Sequence, residues 1–478
     1  MTVQLIWKAE DVIRAVHGHC LHEQTWTAHG VSIDSRTTKE GDLFIALEGP
    51  DHDGHDFIAA AFAAGAAAAI VSRQPSQAPA KAHLILVEDT FKALQELGRA
   101  GRKRSHARII AVTGSVGKTG SKEMLRLMLN EVGDTYANEG SLNNHWGVPL
   151  SLARLPAGAL YGVFEMGMNH AGELGPLSQQ VRPDVAFITT IEAVHLEYFD
   201  SVEAIADAKA EIFSGMTSDG TAVLNRDNGQ FVRLAAAGKT SGLKKILGFG
   251  RDGKADGRIL ECIEEVESSL IKAEILGRRI EYRLGVPGLH VALNSIGALL
   301  AAVTAGADLN ACAAVLAHYR QPKGRGVIQT VTISDGNFTL IDESYNASPV
   351  AVRFALRVLG QMMPGPQGRR ILVLGDMKEL GASSPSLHAD LIKDITDAHI
   401  DMVFTCGEMM RHLFEALPET VPKFHADNSA GLVPHVTKAV RAGDVVTVKG
   451  SHSMHMDVVV DELKALDHAA PQNERRAV

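Results

Sequence analysis

A glycine-rich turn, Gly114–Thr119 (GSVGKT), has the residue types and the spacing that bind a nucleotide phosphate. It lies between an apolar, β-branched run, Arg108–Thr113, and a segment with helical periodicity, Lys118–Asn130. Glycines let backbone N–H groups close around phosphate oxygens, and a helix N-terminus favours negative charge. In this setting the Lys118 ammonium would reach the β- and γ-phosphates, and the Thr119 hydroxyl would ligate Mg²⁺.

The strict phosphate-loop pattern, G-x-x-x-x-G-K-[ST], fails at one position, because Val112 stands where its first glycine should be. The alternative is an ordinary strand–turn–helix unit with a surface lysine. The strand before the turn and the helix after it favour the phosphate loop, since that is the context in which such loops occur.

Two further residues could hold a metal ion beside that loop. Glu165 ends the apolar run Gly162–Glu165, and His195 follows the apolar run Val185–Thr190. Open α/β sheets bind their ligands just beyond the carboxyl ends of the strands. Carboxylate oxygens suit Mg²⁺, and histidine is a less usual partner. Each residue has an alternative role, Glu165 as a helix cap and His195 as a structural histidine.

Lys209 and Arg325 are basic residues at two other points of the chain. Taken by itself, Lys209 is expected to be a solvated helix lysine paired with nearby acidic residues. Arg325 lies at the expected entry to the last segment, where an arginine on a second domain could close over the γ-phosphate. The alternative for Arg325 is a linker residue.

The elements that must position these residues predict an α/β protein of about three domains in 478 residues. We predict an N-terminal α/β domain (1–107), a central parallel-sheet domain with the phosphate loop (108–320) and a Rossmann-like C-terminal domain (321–478). Further strands are predicted at Asp42–Leu47, Leu84–Val87, Phe338–Ile341, Ile371–Leu374, Met402–Thr405 and Val445–Val448.

Two segments of the first domain have unusual composition. Arg99–Arg108 is rich in basic residues and is expected to be the linker that ends the domain. Phe57–Val71 is apolar, but its 15 residues fall short of the ~20 that span a bilayer. It predicts a buried helix that runs into a strand.

Composition argues against several classes of protein. The net charge of −9 and the pI near 6.2 leave no basic excess for nucleic-acid phosphates. The N-terminus lacks the basic start and apolar run of a signal peptide, so a cytoplasmic protein without a membrane partner is expected. The cysteines form no CxxC or Cys/His cluster, which argues against zinc or a disulfide framework: Cys20, Cys262, Cys312 and Cys406.

Placed in order, these features resemble the muramyl peptide ligases over nearly the whole chain. The phosphate loop resembles the shortened loop of that family. The last segment is similar to the members that take D-alanyl-D-alanine. The stretches that carry the resemblance are Asp34–Arg36, Gly41–Leu47, Asp53–Phe57, Thr113–Thr119, Leu142–Asn144, Gly147–Leu150, Glu165–His170, Ala193–Glu197, Ala208–Ile212, Asp342–Pro349, Leu374–Gly381 and Val448–Ser451.

The resemblance implies roles for particular residues. ATP would be bound by Gly114, Ser115, Gly117, Lys118, Thr119, His290, Asn294, Arg325 and Asp342. The metal ligands would be Thr119, Glu165, His195 and a carbamylated Lys209. The two other substrates would contact Ser35, Arg36, Asn143, Asn144, Tyr345 and Asn346, although Arg36 alone would be taken for a turn arginine. Catalysis would rest on Lys118, Lys209, His195 and Arg325.

Some positions depart from the family pattern without removing a metal ligand or the loop lysine. His452 and His455 fall where arginines are usual, and a histidine near its unperturbed pKa is mostly neutral at pH 7. The other departures are Gly120, Ala210, Val291 and Glu343.

The resemblance also implies the reaction. The terminal carboxylate of UDP-N-acetylmuramoyl-tripeptide would attack the γ-phosphate of ATP, giving an acyl phosphate and ADP. The amine of D-alanyl-D-alanine would then displace phosphate, giving the UDP-muramyl pentapeptide used for peptidoglycan. ATP and two Mg²⁺ ions are the expected cofactors, and a monomer is expected. The alternatives are a sister ligase for a single amino acid, a folylpolyglutamate synthetase-like ligase, a P-loop phosphotransferase and a non-catalytic nucleotide-binding module.

Overall fold

The computed structural model describes residues 5–20, 25–49, 52–194 and 197–467, and the chain divides into two compact units. The first unit is formed by Met1–Ile191 and Ala206–Tyr319, and the second by Glu192–Ile205 and Arg320–Val478. Helices alternate with the strands of mostly parallel sheets, which confirms the predicted α/β fold class. None of the described helices is long and apolar enough to cross a membrane.

The N-terminal part of the first unit contains a small sheet and a two-stranded ribbon. The strands are β1 (Trp7–Lys8), β2 (His19–Cys20), β3 (Thr27–Ala28), β4 (Gly30–Ser32), β5 (Asp42–Ile45), β6 (Ala68–Val71) and β7 (Leu84–Leu86). The helices are α1 (Ala9–Val16), α2 (Ile58–Ala63) and α3 (Thr90–Arg104). Strands β1 and β3 pair, and the sheet order is β2-β7-β6-β5-β4. The predicted buried helix that runs into a strand is present as α2 followed by β6.

The predicted basic linker is wrong, because α3 continues to Arg104 and the next strand begins at Arg108. The guanidinium groups are held by backbone carbonyls of the same unit. Arg102 Nε donates to the Val181 carbonyl at 2.7 Å, and Arg104 Nη2 donates to the Leu155 carbonyl at 3.1 Å. Because these basic side chains have partners inside the folded unit, their charge does not indicate a solvated linker.

The central part of the first unit is a nine-stranded sheet. Its strands are β8 (Arg108–Thr113), β9 (Thr135–Ala137), β10 (Tyr161–Glu165), β11 (Val185–Ile188), β12 (Thr221–Asn225), β13 (Lys245–Gly250), β14 (Gly257–Glu264), β15 (Ser269–Ile275) and β16 (Arg278–Leu284). The helices that follow β8 are α4 (Lys118–Val132), α5 (Gly147–Arg154), α6 (Leu174–Val181), α7 (Val202–Ala210), α8 (Phe231–Thr240), α9 (Leu289–Thr304) and α10 (Leu309–Val315).

The strand order of this sheet, β16-β15-β14-β13-β12-β11-β8-β10-β9, places β8 between β10 and β11. The strands from β9 to β14 are parallel, so their carboxyl ends share one edge. The chain first moves to one side of β8 and then crosses to the other side. Such a reversal leaves a crevice at the carboxyl ends of the strands, where α/β proteins bind ligands.

The second unit contains a six-stranded sheet in the Rossmann-like arrangement that was predicted. The strands are β17 (Val327–Ile333), β18 (Gly336–Glu343), β19 (Arg370–Gly375), β20 (Met402–Cys406), β21 (Lys423–Ala426) and β22 (Val445–Lys449). The helices are α11 (Pro349–Gln361), α12 (Ser384–Ala389), α13 (Leu391–Asp397), α14 (Met410–Ala416), α15 (Ser429–Ala439) and α16 (Asp457–Ala465). The order is β17-β18-β22-β19-β20-β21, with only β17 antiparallel. Short 3₁₀ turns of the two units lie at Gly54–Phe57, Glu211–Gly215, Leu316–His318, Gly381–Ser383 and His452–Met454.

Candidate active site

The glycine turn joins β8 to α4 and has backbone geometry that other residues would strain. Gly114 has φ 146° and Gly117 has φ 84°. A Cβ on Gly114 would lie 2.0 Å from Thr189 Oγ1, and one on Gly117 would lie 2.5 Å from Asn294 Nδ2. Neighbouring side chains therefore pack directly on the turn, and only glycine leaves the room they occupy.

Lys118 and Thr119 begin the helix that follows the turn. Lys118 Nζ donates to the Gly114 carbonyl at 2.7 Å, so its ammonium lies over the loop. Thr119 is 9% exposed and belongs to the first turn of α4. The helix has 15 residues, and its N-terminal N–H groups give the loop a favourable field for phosphate. The geometry is that of a phosphate loop.

Glu165 ends β10, beside the loop strand, and has the properties of a metal ligand. The side chain is 2% exposed, and Asn143 Nδ2 donates to its Oε1 at 2.8 Å. Within the described residues, its buried Oε2 has no hydrogen-bond partner. A buried carboxylate oxygen without a partner is costly unless a cation or water satisfies it. With the Thr119 hydroxyl it provides hard oxygen donors, which fit Mg²⁺.

Lys209, near the end of α7, is not the solvated lysine that its sequence suggests. Its side chain is 1% exposed. Burial, and then the positive charge of Lys118, hold the pKa of Lys209 well below its usual value. The fold therefore favours the uncharged amine, and an uncharged amine is a nucleophile.

His290 and Asn294 lie one turn apart on α9, so they share a helix face. Asn294 packs against Gly117, which places it at the loop, and His290 is exposed. Asn144 Oδ1 accepts the Gly147 N–H at 2.9 Å and so stabilises the start of α5. His195 lies outside the described residues.

The predicted substrate residues of the N-terminal sheet lie in the turn after β4. Arg36 Nη2 donates to Asp34 Oδ2 at 2.7 Å, and Arg36 Nε donates to Asp34 Oδ1 at 2.9 Å. Hydrogen bonding from Arg36 is the main cause that lowers the pKa of Asp34. The Arg36 side chain is 86% exposed, and Ser35 is half-buried. This ion pair orients an exposed guanidinium beside the small sheet.

In the second unit, polar groups gather where β18 and β22 end side by side. Asp342 is fully buried, and its Oδ1 accepts the Ser344 hydroxyl at 2.6 Å. Lys449 is also buried, and its Nζ donates to Glu343 Oε2 at 3.0 Å and to the Asn346 carbonyl at 2.8 Å. The Lys449 bonds connect the loop after β18 to the end of β22.

A cluster of one arginine and three rings lies at the same ends of β18 and β22. The Arg325 guanidinium carbon lies 4.1 Å from the centre of the Tyr345 ring. The ring centres of Tyr345 and His452 are 5.1 Å apart, and those of His452 and His455 are 6.4 Å apart. The structure thus brings Arg325, Tyr345 and Asn346 together within the second unit.

Two buried polar residues near Glu165 were missed by the sequence analysis. Lys122 is fully buried on α4, and Asn138 is 1% exposed just after β9. The helical periodicity of α4 places Lys122 among apolar positions such as Leu125 and Leu129. The sign available in the sequence was a lysine on the apolar face of the predicted helix, which indicates a buried lysine.

A phosphate loop at the reversal point of a parallel sheet, beside a buried carboxylate, defines a nucleotide-binding α/β protein. Models of the Mur ligase family match three parts of the chain: the catalytic domain of the Mur ligase family over 27–102, the Mur ligase middle domain over 112–302, and the Mur ligase, glutamate ligase domain over 327–452. A Rickettsia prowazekii (strain Madrid E) protein named UDP-N-acetylmuramoyl-tripeptide–D-alanyl-D-alanine ligase is 35% identical over 431 residues, covering 90% of this chain and 94% of the relative. The chain belongs to the Mur ligase family.

Further relatives are similar to this chain over comparable lengths. The Escherichia coli (strain K12) protein of the same name is 34% identical over 443 residues, covering 92% of this chain and 94% of its own. Crystal structure I of MurF from Acinetobacter baumannii has a TM-score of 0.83 at 29% identity, covering 97% of this chain and 100% of that one. MurF ligase from Thermotoga maritima in complex with ADP has a TM-score of 0.73 at 25% identity, covering 94% and 98%. The three-domain α/β fold that was predicted is confirmed.

Proposed function

We propose that this chain is an ATP-dependent ligase that joins D-alanyl-D-alanine to UDP-N-acetylmuramoyl-tripeptide. The observation that carries the proposal is its similarity, over more than nine-tenths of each chain, to the Escherichia coli relative with that name. The phosphate loop and the buried carboxylate beside it supply the chemistry that such a ligase requires. The product would be the UDP-muramyl pentapeptide of peptidoglycan synthesis.

A free carboxylate is a poor electrophile, so the reaction needs an acyl phosphate. The tripeptide carboxylate attacks the γ-phosphorus of ATP, and the bond from that phosphorus to the bridging oxygen breaks, which releases ADP. The amine of D-alanyl-D-alanine then attacks the acyl carbon, phosphate leaves, and the amine loses a proton. The protein positions these groups and neutralises charge. Lys118 would act on the phosphates, and Arg325 is proposed to act there as well.

Two Mg²⁺ ions would neutralise phosphate charge when bound. Thr119, Glu165, His195 and a carbamylated Lys209 are the proposed ligands. An ammonium at Lys209 would repel the cations, whereas a carbamate adds an anionic oxygen ligand. Carbamylation joins the amine nitrogen to the carbon of CO₂ and releases one proton, so it requires the uncharged amine that burial of Lys209 favours.

Other residues are proposed to bind substrates. Gly114, Ser115, Gly117, His290, Asn294 and Asp342 would contact ATP. Asn143 and Asn144 would contact the UDP-sugar substrate together with Ser35 and Arg36. Tyr345 and Asn346 would face the dipeptide or the nucleotide.

The proposed domain boundaries are residues 107/108 and 320/321. We also propose that the protein acts in the cytoplasm, where its substrates would be made. The spacing of the four cysteines, which form no CxxC or Cys/His cluster, favours a reducing compartment.

We expect phosphate release to require the dipeptide. With ATP, Mg²⁺ and UDP-N-acetylmuramoyl-tripeptide, the rate with D-alanyl-D-alanine should exceed that with any single amino acid at least about 100-fold, because a site built to pair polar groups rejects a ligand that lacks them. The measurement is coupled phosphate release over a panel of UDP-muramyl peptides and amines. Release with a free amino acid alone would identify a sister ligase. Phosphoryl transfer without amine-dependent release would identify a phosphotransferase, and no turnover would leave a binding module.

We expect Arg36→Ala to raise KM for the UDP substrate about 5- to 10-fold with little change in kcat. An exposed guanidinium held by Asp34 is suited to a phosphate, and a hydrogen bond to a charged group contributes about 1.5 kcal/mol or more. Steady-state kinetics with the UDP substrate varied will measure this effect. Lys39→Ala, a nearby exposed lysine, is the control. An unchanged KM would mean that Arg36 is a turn residue.

A further inference from the structure

Lys122 is a fully buried cation on the helix that begins at the phosphate loop. Its Nζ donates to the Asn138 carbonyl at 2.8 Å and lies 3.0 Å from Glu123 Oε1. Burying an ammonium is costly unless hydrogen bonds and a counter-charge compensate for the lost water. Lys122 lies one helical turn after Lys118, so its contact connects the loop helix to the segment after β9.

Asn138 in turn holds the backbone of Glu165. Its Oδ1 accepts the Glu165 N–H at 2.8 Å, and its Nδ2 donates to the Glu165 carbonyl at 3.1 Å. The same Nδ2 donates to the Leu142 carbonyl at 2.8 Å. One carboxamide therefore binds both backbone groups of the residue whose side chain faces the proposed metal position.

A second asparagine, Asn143, holds the Glu165 side chain. Asn143 Nδ2 donates to Oε1, and Oε2 has no partner within the described residues. The Asn143 carbonyl accepts the Gly167 N–H at 2.8 Å, so Asn143 is itself tied to the end of β10. The carboxylate is left with one free oxygen in a defined position.

We propose that Lys122 and Asn138 are positioning residues that set the Glu165 carboxylate beside the phosphate loop, where it would help to hold a divalent cation. This inference rests on the proposed role of Glu165 as a metal ligand. Because α4 is rigid, the bond from Lys122 to Asn138 determines the spacing between the Thr119 hydroxyl and Glu165. Mg²⁺ requires near-ideal octahedral geometry, so a small shift of one ligand weakens binding.

We expect Lys122→Met to weaken divalent-cation binding about tenfold or more, the usual effect of removing a group that orients a metal ligand. Methionine has a similar length and packs in an apolar site, but it cannot hydrogen-bond to Asn138. Binding of Mn²⁺ to the protein with a non-hydrolysable ATP analogue will be measured by electron paramagnetic resonance. The affinity for the analogue without metal should change less than about twofold. Lys122→Arg keeps a donor and should recover part of the Mn²⁺ affinity.

Arg126→Met is the matched control on the same helix. Arg126 is half-exposed and pairs with Glu123, the other partner of Lys122, but has no recorded bond to Asn138 within the described residues. Its Mn²⁺ affinity should equal that of the wild type. If Lys122→Met does not fold, Asn138→Asp provides the same test, because it keeps an acceptor for Glu165 and loses both Nδ2 bonds.

Unchanged Mn²⁺ affinity in a folded Lys122→Met protein, or in Asn138→Asp where Lys122→Met does not fold, would overturn the proposal. A purely structural role would lower the thermal midpoint and leave Mn²⁺ affinity intact. The Mn²⁺ measurement needs neither the UDP substrate nor the dipeptide. It can therefore fail while ligase activity is present, and it can succeed even if the proposed amine substrate is wrong.

Discussion

Replacing Lys118 with alanine is expected to lower kcat by about 10³-fold while the thermal midpoint stays within about 2 °C. The lysine is the cation placed on the phosphate loop, where charge develops during phosphoryl transfer. Its ammonium donates to the Gly114 carbonyl of the loop, and Lys118 is not among the buried residues of the core, so its removal is expected to cost little packing. Phosphate release and the thermal midpoint will be measured on the same preparation.

Lys239→Ala is the matched control for this variant, because Lys239 is an exposed lysine on α8 of the same unit. It should retain full activity. A near-normal rate for Lys118→Ala would reject the assignment of the phosphate loop. A large fall in the thermal midpoint would instead mean that the lysine supports the fold.

Lys209→Ala is expected to lose about 100-fold or more of its activity and to recover part of it with acetate or formate. The reason is that a carbamate at this position would be an anionic oxygen ligand, which a small carboxylate can replace. Bicarbonate should also raise the activity of wild-type protein from which CO₂ has been removed. If Lys209→Ala keeps most of its activity, the second metal site must be built from other residues.

Although activity is expected to depend on Lys209, the buried lysine should lower the stability of the fold near neutral pH. Its pKa in the fold lies well below the value of 10.5 that the unfolded chain has, mainly because of burial. Between those two values the unfolded state binds more protons, so the free energy of unfolding rises with pH across that window. The free energy of unfolding of CO₂-depleted wild type should therefore fall as the pH is lowered from 10.5. The apolar variant Lys209→Met should lack this pH-dependent contribution.

Denaturant unfolding of both proteins between pH 7 and pH 10 will measure that difference. Lys209→Met should be the more stable protein at pH 7, and the gap should narrow toward pH 10. Lys239→Met, at an exposed position, should follow the wild type at every pH. A constant gap across the range would mean that the pKa of Lys209 is the same in the fold as in the unfolded chain.

Local sequence was sufficient for the phosphate loop and for the strands that end beside it. The apolar run before Gly114 and the helical periodicity after Lys118 are properties of neighbouring residues, and β8 and α4 begin where these patterns predict. The central strand of the last segment was located in the same way, as β19 extends one residue beyond the predicted run at each end. Burial on both faces makes such strands continuously apolar, so they can be recognised without knowledge of their partners.

The tertiary structure decided which polar residues are buried and what holds them. The arginines at the end of α3 looked like a solvated linker, but carbonyls of α6 and its cap accept hydrogen bonds from Arg102, and the Leu155 carbonyl accepts one from Arg104. Lys209 looked like a surface lysine, and Lys122 and Asn138 gave no local sign of their bonds to one another. Lys122 and Asn138 are 16 residues apart in the chain, and Arg102 and Arg182 are 80 residues apart. Burial and hydrogen bonding depend on which elements the sheet order brings together, and the pattern within a single helix or strand does not contain that order.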